Sequence, residues 1–166
     1  MIPQTAWPAP EAEIRSQTPG DWDEGTLILG IETSCDETSA AVVKGGLDIL
    51  SNIIVSQVVL HGEFGGIVPE VASRAHVEAL TPAIGEALRA ADATFWDLDG
   101  VAATLGPGLI GSLLVGVAEG KAIAAVLGIP FVGVNHLEAH IYSNFLADKS
   151  ATWPAVVLLV SGGHTM

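Results

Sequence analysis

From Thr26 onward the chain reads as short apolar runs set between polar turns. Leu27–Thr33 and Ser39–Lys44 are apolar, β-branched runs on either side of the polar segment Ser34–Thr38, and Gly45-Gly46 leads into a third run, Ile49–Val59. Three such runs in succession predict an antiparallel meander. The rhythm changes at Pro69. Val71, Ala75, Ala79, Ala83 and Ala87, with Leu80, Ile84 and Leu88 beside them, recur at helical spacing. Gly100–Leu105 then reads as a strand, Gly106-Pro-Gly108 as a tight turn and Leu109–Leu127 as a helix. Pro130–Val134 is a further strand, followed by a helix to about Leu146, and Ala155–Val160 is a last apolar run expected to be a strand.

The order β-β-β-α-β-α-β-α predicts an α/β lobe of the ribonuclease-H-like kind, a mixed five-stranded sheet with flanking helices. Residues 1–25 hold four of the nine prolines and many polar or acidic residues, and read as a flexible N-terminal extension. Residues 26–150 form the first lobe, and 151–166 read as the start of a second lobe, interrupted in mid-motif at Met166.

Composition narrows the class. With 49% hydrophobic and 15% charged residues, the 166-residue chain has enough apolar material for one packed domain and is not a disordered segment. Its net charge of −13, with only six Lys and Arg, disfavours unaided binding to nucleic acid, so an RNA substrate would need a partner's basic surface. Cys35 is the only cysteine, which excludes an intrachain disulfide and fits a reducing, cytoplasmic setting. The N-terminus shows no basic segment followed by an apolar stretch, the mark of a signal peptide. Leu109–Gly128 is apolar enough to suggest a membrane span, but Glu119, Lys121 and several glycines interrupt it, and a buried soluble helix is the expectation.

The clearest candidate chemistry lies in Val134-Asn-His-Leu-Glu-Ala-His140. His136 and His140, four residues apart on a helix, project about 40° apart and suit two ligands of one metal ion. Asn135 is a good N-cap, and Glu138 three residues later completes the pattern of a capping box. Ser161-Gly-Gly-His-Thr165 closes an apolar run with glycines that would let a phosphate or carboxylate approach the backbone, or simply form a turn. Gly106-Pro-Gly-Leu-Ile-Gly-Ser112 opens a helix and offers either an anion site or, the stronger reading, glycine packed closely against the sheet. In Ser34-Cys-Asp-Glu-Thr38, Asp36 is either a turn residue or an acid placed to orient a nucleophile or accept a proton, while Cys35 reads as small and buried. Glu70, Arg74 and His76 read as a solvated first turn of their helix.

Taken together, Gly30-Ile-Glu-Thr-Ser-Cys-Asp-Glu-Thr38, Gly66-Ile-Val-Pro-Glu-Val-Ala-Ser-Arg-Ala-His76, Gly106-Pro-Gly108, Asn135-His-Leu-Glu-Ala-His140 and Ser161-Gly-Gly-His-Thr165 resemble the TsaD family. That resemblance implies an actin-like ATPase fold of two lobes. It implies transfer of the threonylcarbamoyl group from threonylcarbamoyl-AMP to the N6 amine of the adenosine beside the anticodon, in tRNAs reading codons that start with A. His136 and His140 align with the family's metal ligands, implying one divalent ion, iron or zinc, with iron favoured. Leu159, Val160, Ser161, Gly162 and Gly163 fall where the family contacts the adenylate, and Asp36 matches an acidic residue tied to activity. The implied partners are a TsaB-type paralogue, met through the Pro69–Leu88 and Leu109–Leu127 helices, other threonylcarbamoylation proteins, and tRNA bound through the complex; no membrane is implied. The family's second lobe, with its further metal carboxylate and most nucleotide contacts, is not in these residues, so the 166-residue chain alone is expected to be inactive.

Two other readings compete. A non-catalytic scaffold lobe that pairs with a paralogue would have no need of His136 and His140. A metallopeptidase would place its glutamate directly after the first histidine, whereas Glu138 is displaced and would point away from the metal.

Overall fold

The computed structural model describes residues 22–62, 64–148, 150 and 154–159. Strand β1 spans Leu27–Glu32, β2 Glu37–Lys44 and β3 Asp48–Ser56, joined as an antiparallel meander. A short helix α1 (Val58–Gly62) and the long helix α2 (Pro69–Ala90) precede β4 (Gly100–Gly106), α3 (Ile110–Leu127), β5 (Phe131–Asn135) and α4 (His136–Ala147). The sheet order is β3-β2-β1-β4-β5, with β1, β4 and β5 mutually parallel. This is the expected mixed five-stranded, ribonuclease-H-like arrangement. Before β1, residues 22–26 close a turn in which the Asp23 carboxylate accepts from the Gly25 N–H at 2.8 Å.

Alternation along each strand sorts the two faces of the sheet. Leu29 and Ile31 of β1, Ala40 and Val42 of β2, and Val101 and Ala103 of β4 are buried beneath one side of α2 and α3. Leu80, Ala83, Ile84, Ala87 and Leu88 supply the α2 side of that core, at the helical spacing read from the sequence. The opposite face carries small and polar residues: Gly30, Glu32, Ser39, Ala41, Ala102 and Thr104. It forms the floor of a cleft of about 420 Å³ whose far wall is α4.

Glycine lets α3 approach the end of β1. A Cβ on Gly116 would lie 2.5 Å from the Thr33 hydroxyl, and one on Gly108 would lie 2.7 Å from the Ser34 carbonyl oxygen. The Thr33 hydroxyl donates to the Ser112 carbonyl at 2.8 Å and accepts from the Gly116 N–H at 3.2 Å, so this contact is hydrogen-bonded as well as tight. Gly106-Pro-Gly108 is thus a close-packed strand–helix turn.

Several details differ from expectation. The Ile49–Val59 run does not continue as one strand: β3 ends at Ser56, and Val58 and Val59 begin α1 with their side chains exposed. Ala155–Val160 was expected to be a strand. Residues 155–159 form none, and Val160 lies outside the described residues. An apolar run becomes a strand only when a neighbour takes its backbone hydrogen bonds; here the sheet ends at β5, and Val156 is fully exposed. Helix α3 is long and apolar enough to cross a membrane by length and composition. It is not buried all round: Ser112, Gly116, Gly120 and Ala124 face the sheet, while Ile110, Leu114 and Val126 are exposed.

Two substitutions on the long helices should have opposite signs. Gly116→Ala forces a methyl into the Thr33 hydroxyl, and overpacking of about 1–3 kcal/mol outweighs the gain in helix propensity. Gly85 of α2 has nothing within 4 Å of its absent Cβ. Gly85→Ala should therefore raise stability by up to about 1 kcal/mol. Denaturant melts of the two variants check the signs.

Candidate functional site

Because β1, β4 and β5 run parallel, their C-terminal ends lie side by side at one edge of the sheet. Helix α4 begins there, immediately after β5. Its N-cap is Asn135, whose side-chain oxygen accepts from the N–H groups of Leu137 (2.9 Å) and Glu138 (3.3 Å). Glu138 does not return a side-chain bond, so the cap is one-sided and not a full box. The cap fixes the first turn of α4, and that turn carries His136 into the cleft with His140 one turn later.

The two imidazoles converge. Their Nε2 atoms are 3.1 Å apart, and the rings meet edge to face at 4.5 Å between centroids. The other side of His136 is engaged by the end of β1: its Nδ1 lies 3.2 Å from Glu32 Oε2 and 3.3 Å from the Ser34 hydroxyl. Glu32 also accepts from the Ser34 N–H and, at 2.5 Å, from the Thr104 hydroxyl of β4. Burial pushes this carboxyl's pKa up, but the hydrogen bonds from Ser34, Thr104 and His136 outweigh it and hold the group below the usual 4.5. It is a tethered carboxylate.

The two Nε2 atoms fit one metal ion. Nitrogens bound at 2.0–2.1 Å in a tetrahedral shell sit about 3.3 Å apart, within a few tenths of an ångström of the separation here. Among the described residues no cluster of three or more His, Cys, Asp or Glu could hold a metal, so these two imidazoles supply only part of a shell.

The turn that joins β1 to β2 is pinned from behind. His76 of α2 is fully buried, against the expectation of a solvated first turn. Its Nε2–H donates to the Cys35 carbonyl at 3.1 Å, which leaves Nδ1 to accept from the Thr38 hydroxyl at 2.7 Å and from the Gln57 amide at 3.2 Å. Gln57 in turn accepts from His61 Nε2 at 3.0 Å. Burial is the main cause of a lowered His76 pKa, so the ring is neutral at pH 7.

The predicted site residues are thus brought together only in part. His136 and His140 share the cleft, whose lining does not include Asp36. Asp36 stands on the pinned turn, half-buried, with its carboxylate beside the Cys35 thiol. Burial and that neighbouring carboxylate raise the Cys35 pKa, so the half-buried thiol is not an activated nucleophile. Leu159 is half-buried and in no regular element; Val160, Ser161, Gly162 and Gly163 lie outside the described residues. The polar roles of Glu32 and His76 do not emerge from the sequence reading. Each carried a signal: Glu32 is an acid at the end of an apolar strand, and His76 lies four residues from Ala72 and from Leu80 on the buried stripe of α2.

Residues 48–166 match the family described as TsaD, tRNA N6-adenosine threonylcarbamoyltransferase. The chain belongs to the TsaD family. Curated relatives carry the same description: one from Caldicellulosiruptor bescii is 57% identical over 139 residues, 84% of this chain and 41% of the relative. Another, from Desulfitobacterium hafniense, is 59% identical over 138 residues, 83% of this chain and 40% of the relative. This TsaD-family chain therefore spans about two-fifths of the length of the relatives it matches. Among solved structures, YeaZ from Pseudomonas aeruginosa superposes with a TM-score of 0.54 at 20% identity, over 76% of this chain and 51% of that one. A protein described as uncharacterized, with similarity to peptidase YEAZ from Pseudomonas aeruginosa, gives 0.55 at 16% identity, over 84% of this chain and 62% of that one. At these identities the likeness shows the fold alone.

His76 makes stability depend on pH in a defined direction. Its folded pKa lies below the ordinary 6.5, so below pH 6.5 the unfolded chain binds the proton more readily. The stabilisation from a neutral His76 is fully present above pH 6.5 and declines as the pH falls toward the folded pKa. Urea melts at pH 7.5 and 5.5 should show a loss for the wild type that His76→Gln reduces.

Proposed function

We propose that the protein carrying this chain transfers a threonylcarbamoyl group from threonylcarbamoyl-AMP to the N6 amine of the adenosine next to the anticodon, in tRNAs that read codons starting with A. The observation that carries this reading is the converging His136–His140 pair, set in the cleft of a chain whose relatives bear that name. In the transfer the amine nitrogen bonds to the carbamoyl carbon, the bond from that carbon to the adenylate oxygen breaks, AMP leaves and the amine loses a proton. His136 and His140 would hold one divalent ion, iron or zinc, with iron favoured by the family resemblance. When bound, such an ion supplies Lewis acidity toward a substrate oxygen.

The residues of this chain do the rest by position. Gly30, Ala41 and Ala102 leave the cleft floor low enough for a planar substrate group to lie on the sheet. Asp36, on the turn held by His76, is the proposed acidic residue. Leu159, Val160, Ser161, Gly162 and Gly163 are the proposed adenylate contacts. Residues 26–150 would be the first lobe, 1–25 an extension and 151–166 the entry to a second lobe. Two imidazoles leave an ion under-coordinated, and the cleft is open, so the 166 residues alone should not turn over.

Pairing with a TsaB-type paralogue is proposed through α2 and α3. Ile110 and Leu114 near the start of α3, and Val77 on α2, are exposed apolar side chains suited to that contact. The remaining threonylcarbamoylation proteins and tRNA would join through that assembly, since a net charge of −13 offers tRNA little direct attraction. The proposed setting is the cytoplasm. For a peptidase, Glu138 is in the wrong place: it lies exposed on α4, away from the cleft lining.

The test supplies threonylcarbamoyl-AMP, an A-starting-codon tRNA and the TsaB-type partner, and analyses digested tRNA nucleosides by mass spectrometry. The full reading frame should form the modified nucleoside, the double variant His136→Ala/His140→Ala should form none, and the 166-residue form should be inactive. No product from the full form beside a working control enzyme would refute the transferase. Leu114→Asp should weaken binding to the TsaB-type partner by about tenfold or more in titration calorimetry, with the protein's own melting little changed.

A further inference from the structure

We infer that Glu32 is a positioning residue of the proposed metal centre: it accepts the Nδ1 proton of His136, fixes the tautomer of that ring and so turns the Nε2 lone pair toward the ion. The inference rests on the metal reading above and assigns a residue outside the ligand pair.

The argument is one of donors and acceptors. An ionised carboxylate only accepts, and Glu32 Oε2 lies 3.2 Å from His136 Nδ1. If Nδ1 bore a lone pair, two acceptors would face each other at that distance. In the neutral ring the proton therefore sits on Nδ1, and Nε2 carries the lone pair. The second contact of the ring is compatible with this tautomer: His136 Nε2 lies 3.1 Å from His140 Nε2, a distance at which a neutral His136 can accept from His140. When an ion takes the place of that bond, only His140 has to shift its proton to Nδ1, because His136 already presents its lone pair.

Geometry also separates Glu32 from the ligands. It meets His136 at Nδ1, the opposite edge of the ring from Nε2, so it stands behind the imidazole and not beside the ion. Its oxygens are already committed, Oε1 to the Ser34 N–H and Oε2 to the Thr104 hydroxyl at 2.5 Å as well as to His136. These donors come from the turn after β1, from β4 and from α4, so the carboxylate is fixed by three parts of the fold. A ring oriented by such an anchored acceptor loses little freedom on binding the metal.

The experiment uses the protein expressed from its full reading frame, with Zn²⁺ itself as the probe. Histidine-selective ¹⁵N–¹H correlation spectra of the metal-free wild type should show His136 as the Nδ1–H tautomer. Glu32→Gln should lose that preference and bind Zn²⁺ about 10- to 100-fold more weakly in competition titrations. A wild-type His136 protonated on Nε2, or a Glu32→Gln variant that binds Zn²⁺ as tightly as wild type, would overturn the role of Glu32 and leave the metal reading standing. Zn²⁺ binding that His136→Ala does not diminish would overturn the metal reading, and the inference with it. The tautomer is read on the wild type, so it decides the matter even if Glu32→Gln fails to fold.

Discussion

The parallel pairing of β1, β4 and β5 is the constraint on which the rest depends. Ile31 stands opposite Ala103, and Thr104 opposite Val134, so the three strands deliver their chain ends to one edge of the sheet together. The segments leaving these strands must then share a small space. The Leu109 N–H donates to the Ser34 carbonyl at 2.8 Å, and Gly108 has no room for a side chain beside Ser34. His136, next after β5, meets Glu32 and Ser34 at the end of β1. The crevice beyond the carboxyl ends of parallel strands is where open α/β sheets bind their ligands, and this chain gathers Glu32, Thr104 and His136 there.

Two polar devices hold that edge, and they work differently. Glu32 is an acceptor hub that gathers donors from neighbouring elements and stays charged. His76 is a neutral bridge, with one nitrogen donating and the other accepting, buried where a charge would be costly. Neither relies on an exposed ion pair. The Arg89–Glu86 pair, three residues apart on the outer side of α2, lies far from this edge in both place and purpose.

Much of the fold was legible because period and length agree. Leu80, Ala83, Ile84 and Ala87 repeat at helical spacing and are buried, and the glycine pair at 45–46 turns β2 into β3 as expected. The misreadings share one cause: composition does not say what a segment will touch. Val58 and Val59 look like strand residues, yet they lie beyond the last residue of β3 that pairs with β2. Val156 and Leu158 look like a buried strand, yet both are exposed. Of the site, the histidine pair was readable from its spacing because both partners lie on one helix. Glu32 was not, since its side-chain partners Thr104 and His136 are 72 and 104 residues away in sequence. A contact of that range leaves no local pattern.

Helix α3 lives under two sets of rules at once. Its inner stripe, Ser112, Gly116, Gly120 and Ala124, recurs every fourth residue and is buried, and at Gly116 one added carbon already collides with Thr33. Its outer side, with Ile110, Leu114 and Val126, meets no such wall. A larger side chain at Gly116 meets Thr33 at once, while the outer positions have open space around them. A single helix thus joins a closely fitted seat on the sheet to an exterior with room for other side chains.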